Sequence, residues 1–597
     1  MNDPTTHQPH PHVGGRGEAL RALAAWHAAG PSAPRVVLLT GRPGSGRSRL
    51  LTGFLMLCDP VSRERIDLGA LDPATVPAAE LPPPAVCDPD GLTAAQLLWT
   101  AADVLGLDVD RTEDLLHRLA EERTTATALV VPDVDRAGPL RALREPGRVA
   151  AEVLLPLALS PWVRMLADVP KEQAAWLAER IPAGQLQVID LDEAPWADPQ
   201  ALVRQAEYML DRPALAADLA ARAAGPLVVR LAAWSLRAAP DDGPVELPAG
   251  IGDVLDQHAG RCGADELTLR RLLAPLALAG DGAAVPFLLW APLASAVAGR
   301  DLSKAFADSQ ALLLPFFELV GERDDPAVRL VHPEIGAELR ERFGSTVREA
   351  QRRIAAVLAN GLPAGPGRWE HAAPYVREHL TGHALEAGTL PELLADPGFL
   401  VHAGQVRLRA AVEHLAAAGT ELPPLARTWL RLAPLFTRTE AGPLLRAALL
   451  EHACRQDGLP APDLGPGLPW RTLWARPLPG VTALTAATAP DGTTVVAARV
   501  AGAEPGLAVH AVPTGEPVGV PAEQLTPLTE EQRAACPVRL GIGGDYVRLW
   551  PREEGDPVGV FLSAGPLGGA DVTPDGVLLL ADAAGLSALR LTPSAPV

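Results

Sequence analysis

The chain has 597 residues, 48% of them hydrophobic, and a formal net charge of −20 at pH 7. That length holds several domains, and that apolar fraction supports substantial cores. The acidic balance argues against a nucleic-acid or anionic-membrane surface, each of which needs a basic face.

Residues 1–12 read as a disordered, Pro-rich polar tail; His7, His10 and His12 leave metal binding there as the other reading. The first structured signal is Val36–Thr40, a short β-branched run. It feeds the turn Gly41, Arg42, Pro43, Gly44, Ser45, Gly46, Arg47, Ser48, and then a helix. This is the spacing of a phosphate-binding P-loop with arginine in place of its lysine. Glycines let successive N–H groups face an anion, and the helix adds its positive N-terminal end. Ser48 stands where a hydroxyl ligates Mg²⁺, and Arg49 follows it in the first helical turn. The competing reading is a plain strand–turn–helix with glycines for flexibility. Arg47 is planar and wider than lysine, which suits phosphate binding better than positioning of a γ-phosphoryl group. The chain has only two lysines, Lys171 and Lys304, against fifty arginines. Arginine at this position therefore fits a compositional bias as well as a loss of activity.

Further strands are expected at Ala85–Cys87, Thr127–Val131, Trp162–Ala167 and Gln187–Leu191, with helical patterns at Leu92–Leu105 and near Val149–Leu159. Five strands alternating with helices predict a parallel sheet covered on both faces, with the P-loop at its carboxyl edge. Asp133 and Asp135 follow the third run, about 85 residues after the loop. One carboxylate there suits Mg²⁺ and the other suits orienting an attacking water. Ordinary Pro-Asp turn chemistry is the alternative.

Beyond the sheet the pattern becomes helical from Asp198 to about Ala239. It then mixes helices with a short β run, Ala327–His332, and returns to amphipathic helices such as Tyr375–Ala387 and Val406–Ala417. From about Leu478 short β runs and glycines dominate. Pro490-Asp491-Gly492 recurs as Pro574-Asp575-Gly576, a step of 84. Pro517-Val518-Gly519 recurs as Pro557-Val558-Gly559, a step of 40, and Val547-Arg548-Leu549 as Leu589-Arg590-Leu591, a step of 42. A period of about 40–45 is the blade length of a β-propeller. About three units fit, fewer than the usual four to eight, so a strand edge is left to be paired, covered or blunted.

The five cysteines, Cys58, Cys87, Cys262, Cys454 and Cys536, are far apart and show no CxxC spacing. They read as reduced thiols in a cytoplasmic protein. No segment reads as a signal peptide, and the apolar stretches are too short or too interrupted to span a bilayer.

Together these parts resemble a STAND-type P-loop ATPase of the bacterial AAA/NACHT-like kind with a truncated WD40-like tail. Val13-Gly14-Gly15-Arg16 is similar to the motif that helps seat the base, Gly41–Ser48 to Walker A, and Val130–Asp135 to Walker B. Trp162–Pro170 resembles the strand carrying a polar sensor, with Asp168 where a cation or hydroxyl is common. Ala224-Gly225-Pro226 resembles the lid's proline motif without its intervening residue. Val328–Pro333 resembles the winged-helix segment whose histidine, here His332, reaches the phosphates.

The resemblance implies a P-loop NTPase domain over 13–193, a helical lid over 194–250, a winged-helix-like domain over 251–345, a helical region over 346–467 and incomplete WD40-like repeats over 468–597. It implies ATP/ADP and Mg²⁺ held by Arg16, Gly41, Gly44, Ser45, Gly46, Arg47, Ser48, Arg49, Asp133, Pro226 and His332, with Asp133 and Asp135 as the catalytic carboxylates. It also implies a nucleotide-dependent signalling switch, an oligomer, and a separate protein effector or partner docking at the C-terminal repeats. The alternative is a degenerate, non-hydrolysing scaffold on a vestigial ATPase fold. A DNA-binding regulator is the weakest reading, because the net charge is acidic and 253–345 shows no basic recognition helix.

Overall fold

A computed structural model of the chain describes residues 10, 13, 15–30, 33–109, 111–123, 125–210, 212–238, 246–280, 283–365, 367–439, 441–465, 467–501, 506–553, 555, 557 and 559–592. The chain forms two compact units, Met1–Val357 and Leu358–Val597. Most of the N-terminal tail, including His7 and His12, and Gly14 and Val558 of the sequence motifs, lie outside the described residues; His10 is buried.

The first unit is built on a five-stranded parallel sheet: β1 (Val36–Thr40), β2 (Ala85–Val86), β3 (Thr127–Val131), β4 (Val163–Asp168) and β5 (Leu186–Asp190), in the order β2-β3-β4-β1-β5. Every residue of β1 is buried, as an inner parallel strand covered on both faces requires. One face packs on Leu97, Ala101, Leu154 and Leu157 from the crossover helices. The other packs on Leu20, Leu23 and Trp26 of the helix Gly17–Ala28 and on Leu50 and Phe54 of Arg47–Cys58. Placing β4 between β1 and β3 has one consequence for everything that follows. Leu39 of β1 pairs with Asp168, and Val131 of β3 pairs with Ala167. The end of β4 therefore stands between the loop after β1 and the aspartates after β3.

Three helices follow, Pro199–Met209, Pro213–Arg222 and Pro226–Ala238. Each opens on a proline, whose missing N–H and fixed φ suit the first helical position. Asp198 caps the first by accepting from the Ala201 N–H at 2.9 Å. Helices Ile251–Arg261 and Glu266–Leu278 then lead to a small antiparallel sheet of β6 (Val285–Pro286), β7 (Phe317–Glu322) and β8 (Asp325–Leu330), ordered β6-β8-β7, with the helix Phe287–Ala298 between β6 and β7. Two residues separate the end of β8 from the helix Pro333–Phe343, the second of them, His332, being its N-cap.

The second unit pairs helices, among them Pro374–Ala387, Gln405–Ala417, Pro424–Thr439 and Pro443–Gln456, with three antiparallel sheets. The strands are β9 (Trp470–Arg476), β10 (Val481–Thr488), β11 (Thr494–Val500), β12 (Gly506–Ala511), β13 (Thr526–Pro527), β14 (Val538–Ile542), β15 (Tyr546–Pro551), β16 (Gly559–Leu562), β17 (Gly569–Val572), β18 (Val577–Asp582) and β19 (Gly585–Leu591). The sheets are ordered β12-β11-β10-β13, β14-β15-β16 and β17-β18-β19-β9.

Two of the three sequence repeats fall at matching places in these sheets; the third does not, since Pro517–Gly519 follows β12 whereas Gly559 opens β16. Pro490-Asp491-Gly492 makes the β10–β11 turn and Pro574-Asp575-Gly576 the β17–β18 turn, with Gly492 at φ +87° and Gly576 at φ +78°. Val547–Leu549 lies in β15, flanked by β14 and β16. Leu589–Leu591 lies in β19, flanked by β18 and β9. The outer position that β16 fills beside β15 is thus filled beside β19 by β9, the first strand of the tail. The last sheet has its open edge paired from within the chain. Helix Pro443–Gln456 ties into the same edge: buried Glu451 accepts from the Thr472 N–H at 3.2 Å and its hydroxyl at 2.7 Å. Among the described residues no helix is long and apolar enough to cross a membrane.

Candidate functional site

The loop after β1 holds three glycines at positive φ: Gly41 (+154°), Gly44 (+76°) and Gly46 (+94°). Two of them are required by their surroundings as well as by conformation. A Cβ on Gly41 would lie 2.6 Å from Ser45 Oγ, and one on Gly44 would lie 3.0 Å from Leu227. Gly46 is the N-cap of the helix Arg47–Cys58, whose first N–H groups have no intrahelical acceptor. Behind the loop, Arg16 donates to the carbonyls of Leu191 (2.9 Å), Trp196 (3.1 Å) and Ser45 (3.0 Å). On the other flank, Asp192 accepts from the Arg42 N–H at 2.6 Å and pairs with Lys171 at 2.8 Å. Burial works against the Asp192 charge, yet Lys171 and Arg42 hold its carboxyl below the usual range.

The charged centre lies beside the loop. Ser48 Oγ donates to Asp133 Oδ1 at 2.5 Å. The Arg47 guanidinium donates to Asp168 Oδ1 and to Asp135 Oδ2, both at 2.7 Å. Arg47 is 8% exposed and Asp168 fully buried. Burial works against the Arg47 charge, but Asp168 and Asp135 outweigh it and keep its pKa above the ordinary value. Asp168 goes the other way. Burial pushes its carboxyl up to about 8 against the pull of Arg47, and the neighbouring Asp133 and Asp135 add to the rise. A carboxyl whose folded pKa is raised favours the folded state when protonated. Its contribution is therefore lost as pH rises from the unfolded value towards 8.

A cavity of about 460 Å³ opens in front of these residues, a size suited to a small-molecule ligand. One wall is the loop with Gly44, Gly46, Arg47, Ser48 and Arg49, continued by Asp133 and Asp135. The facing wall is Gln205, Pro226, Leu227 and Arg230, closed by the segment Arg329–Ala337 with His332. The Leu227 N–H donates to the Gly44 carbonyl at 3.3 Å, and Gln205 donates to the Pro226 carbonyl at 3.0 Å. His332 Nδ1 accepts from the Glu334 N–H at 3.2 Å, which places the ring proton on Nε2. Burial, reinforced by Arg230, brings His332 down to about 4.

Gly44, Gly46, Arg47, Ser48, Arg49, Asp133, Asp135, Pro226 and His332 thus meet around one cavity. Arg16, Gly41 and Ser45 stand outside its lining: Arg16 ties the loop to the chain after β5, and the other two shape the turn. Arg230, Gln205, Arg329, Arg136 and Arg141 line the cavity without having been singled out in the sequence. The available signal was spacing: Arg230 is four residues after Pro226 and shares its helical face.

No protein-family model matches the chain, and no curated protein matches it. Among solved structures, the chain is similar to a signal transduction ATPase with numerous domains (STAND) that carries a tetratricopeptide repeat sensor, from Pyrococcus horikoshii. That match has 13% identity and a TM-score of 0.30, and covers 76% of this chain and 67% of that chain.

Proposed function

We propose that the chain is a nucleotide-dependent switch of the STAND type, binding ATP or ADP with Mg²⁺ in the cavity between the loop and the helix Pro226–Ala238. The observation that carries this reading is the shared cavity itself. A glycine loop at the carboxyl end of a buried parallel strand faces the Pro226 helix and the His332 segment across about 460 Å³. A ligand filling it touches all three, so occupancy is felt by elements far apart in sequence. The donor set suits Mg²⁺: Ser48 and Asp133 offer adjacent oxygens, and a magnesium ion completes its shell with phosphate and water. Two protein oxygens are few for a dedicated cage and are what a magnesium ion shared with bound phosphates requires. His332 offers a neutral Nε2–H donor to an anion.

The domain assignment accompanies this reading: NTPase 13–193, lid 194–250, winged-helix-like 251–345. So does the docking of a protein partner on the repeats over 468–597, where β14 is the edge of its sheet and offers unpaired backbone groups.

Calorimetric titration with MgATP and MgADP tests the proposal. Wild type is expected to bind both. Gly46→Val is expected to abolish binding, because a side chain is strained at φ +94° where the backbone must approach phosphate. Absence of binding by wild type up to millimolar nucleotide would overturn the switch in favour of the scaffold.

Turnover is expected to be slow. Asp135, the carboxylate suited to orienting water, is occupied by Arg47 at 2.7 Å. A steady-state ATPase rate below about 1 s⁻¹, the low end for kinases, is the expected result. A faster rate contradicts the role given to Arg47.

A further inference from the structure

Six arginines line the cavity: Arg47, Arg49, Arg136, Arg141, Arg230 and Arg329. Arg47 is committed to Asp168 and Asp135, Arg136 to Asp90 at 2.7 Å, and Arg329 to Glu318 at 2.6 Å. Arg230 differs from these three. Its guanidinium lies 4.2 Å from the centroid of the Trp234 ring, and among the described residues it makes no ion pair and no hydrogen bond. Stacking on an indole one turn along the helix fixes the direction of the group and leaves its N–H edge unused. Arg230 is also half-buried and repelled by Arg49, so its charge is held at a cost and its pKa lies below the ordinary value. Glu318 across the cavity offsets part of that cost, but it is paired with Arg329 and the shift stays downward; an anion in the cavity offsets the rest.

Its position fits the same conclusion. Pro226 and Leu227, one helical turn before Arg230, abut the loop: the Leu227 N–H reaches the Gly44 carbonyl, and Pro226 Cγ lies 3.9 Å from where a Gly46 Cβ would be. Residues three and four apart share a helical face, so Arg230 and the loop border the same space. Arg230 and Arg47 both bear on His332, whose pKa each lowers. Arg230 and Arg47 therefore both face the part of the cavity that His332 borders. Arg47 is already held by the Asp135 and Asp168 carboxyl groups, at 2.7 Å each, whereas Arg230 has no such partner among the described residues.

We propose that Arg230 of the helix Pro226–Ala238, and not Arg47 of the loop, supplies the main cationic contact to the phosphates of a nucleoside di- or triphosphate bound in this cavity. Arg47 then serves to hold Asp168 and Asp135 beside the loop. The phosphates draw the Pro226 helix and the loop onto one anion, which couples occupancy to the position of that helix. This inference rests on the nucleotide reading above and assigns the charge within it.

Fluorescent ADP titrated with Mg²⁺ against the full chain tests it, with wild type, Arg230→Gln, Arg230→Lys and Arg47→Lys compared. Thermal melting without nucleotide accompanies each variant. Arg230→Gln is expected to weaken binding by about 10–100-fold, the range for losing a hydrogen bond to a charged group, and to melt at the wild-type temperature. Arg230→Lys is expected to recover part of the loss. Arg47→Lys is expected to change affinity by less than about threefold, well short of one charged contact. If wild type binds and Arg230→Gln binds equally well, or Arg47→Lys loses at least as much, the assignment to Arg230 is overturned while the nucleotide reading stands. If wild type binds no nucleotide, both fall.

Discussion

Arg47→Met is expected to destabilise the first unit by about 3–5 kcal/mol at pH 9, the usual cost of leaving one partner of a buried ion pair uncompensated. The deficit relative to wild type is expected to shrink towards pH 6. The reason lies in Asp168. Its carboxyl is fully buried and titrates near 8 with Arg47 in place. Below that value it is protonated in wild type and variant alike, and the variant loses only hydrogen bonds and the Asp135 pair. Above it, wild type ionises Asp168 against Arg47, whereas the variant must either keep a proton or bury a lone charge. The difference between the two proteins therefore grows as pH rises past 8. Adding Asp168→Asn to Arg47→Met removes the ionisable group and is expected to abolish that growth. Denaturant unfolding at pH 6 and pH 9 measures it; equal deficits at the two values contradict the linkage.

Trp470→Ala is expected to cost the second unit about 3–5 kcal/mol, the range for truncating a fully buried large aromatic. Trp470 opens β9, is fully buried, and lies 5.6 Å from Phe561 of β16, ring centre to ring centre. Its strand completes the last sheet, with Trp470 opposite Leu591 and Arg476 opposite Leu586. Losing the anchor loosens the pairing that joins the start of the tail to its end, and with it the Glu451–Thr472 contacts from the adjacent helix. A chain ending near Gly467 lacks β9 altogether and uncovers buried Glu451 and His452 of that helix, which contact Thr472 and Phe561 of the tail. It is expected to show the same loss more severely. The midpoint of urea unfolding followed by tryptophan fluorescence reports the change. A wild-type midpoint for Trp470→Ala would show that β9 does not hold the unit together.

What the sequence made legible, and what it hid, follows from how far each feature reaches along the chain. The loop was readable because its chemistry is local: glycine spacing, a β-branched run before it and a helix after it. The five strands were readable for the same reason, each being a short apolar run between turn signals. The Arg47–Asp168 pair was not. It depends on β4 lying between β1 and β3, and strand order is set by packing between segments more than a hundred residues apart. Asp168 looked like a misfit in a sensor position, whereas in the fold it is the partner of the arginine that looked like a misfit in the loop. Arg230 carried only the spacing signal of standing four residues after Pro226, easily lost in a chain with fifty arginines; the contact of its helix with Gly44 and its stacking on Trp234 are what set it apart. In the tail, periodicity gave three units and an unfilled edge. That β9 fills it was invisible, because the repeats mark turns and inner strands while the closing strand sits at the far end of the segment.

Hydrogen–deuterium exchange of the full chain with and without saturating MgADP tests the central claim most directly, because it reports on the loop and the facing wall in one experiment. The account predicts slower exchange at residues 44–48, at 226–231 and at 330–336 together, the three segments that border the cavity. Protection of 44–48 alone, or of none of the three, would contradict it.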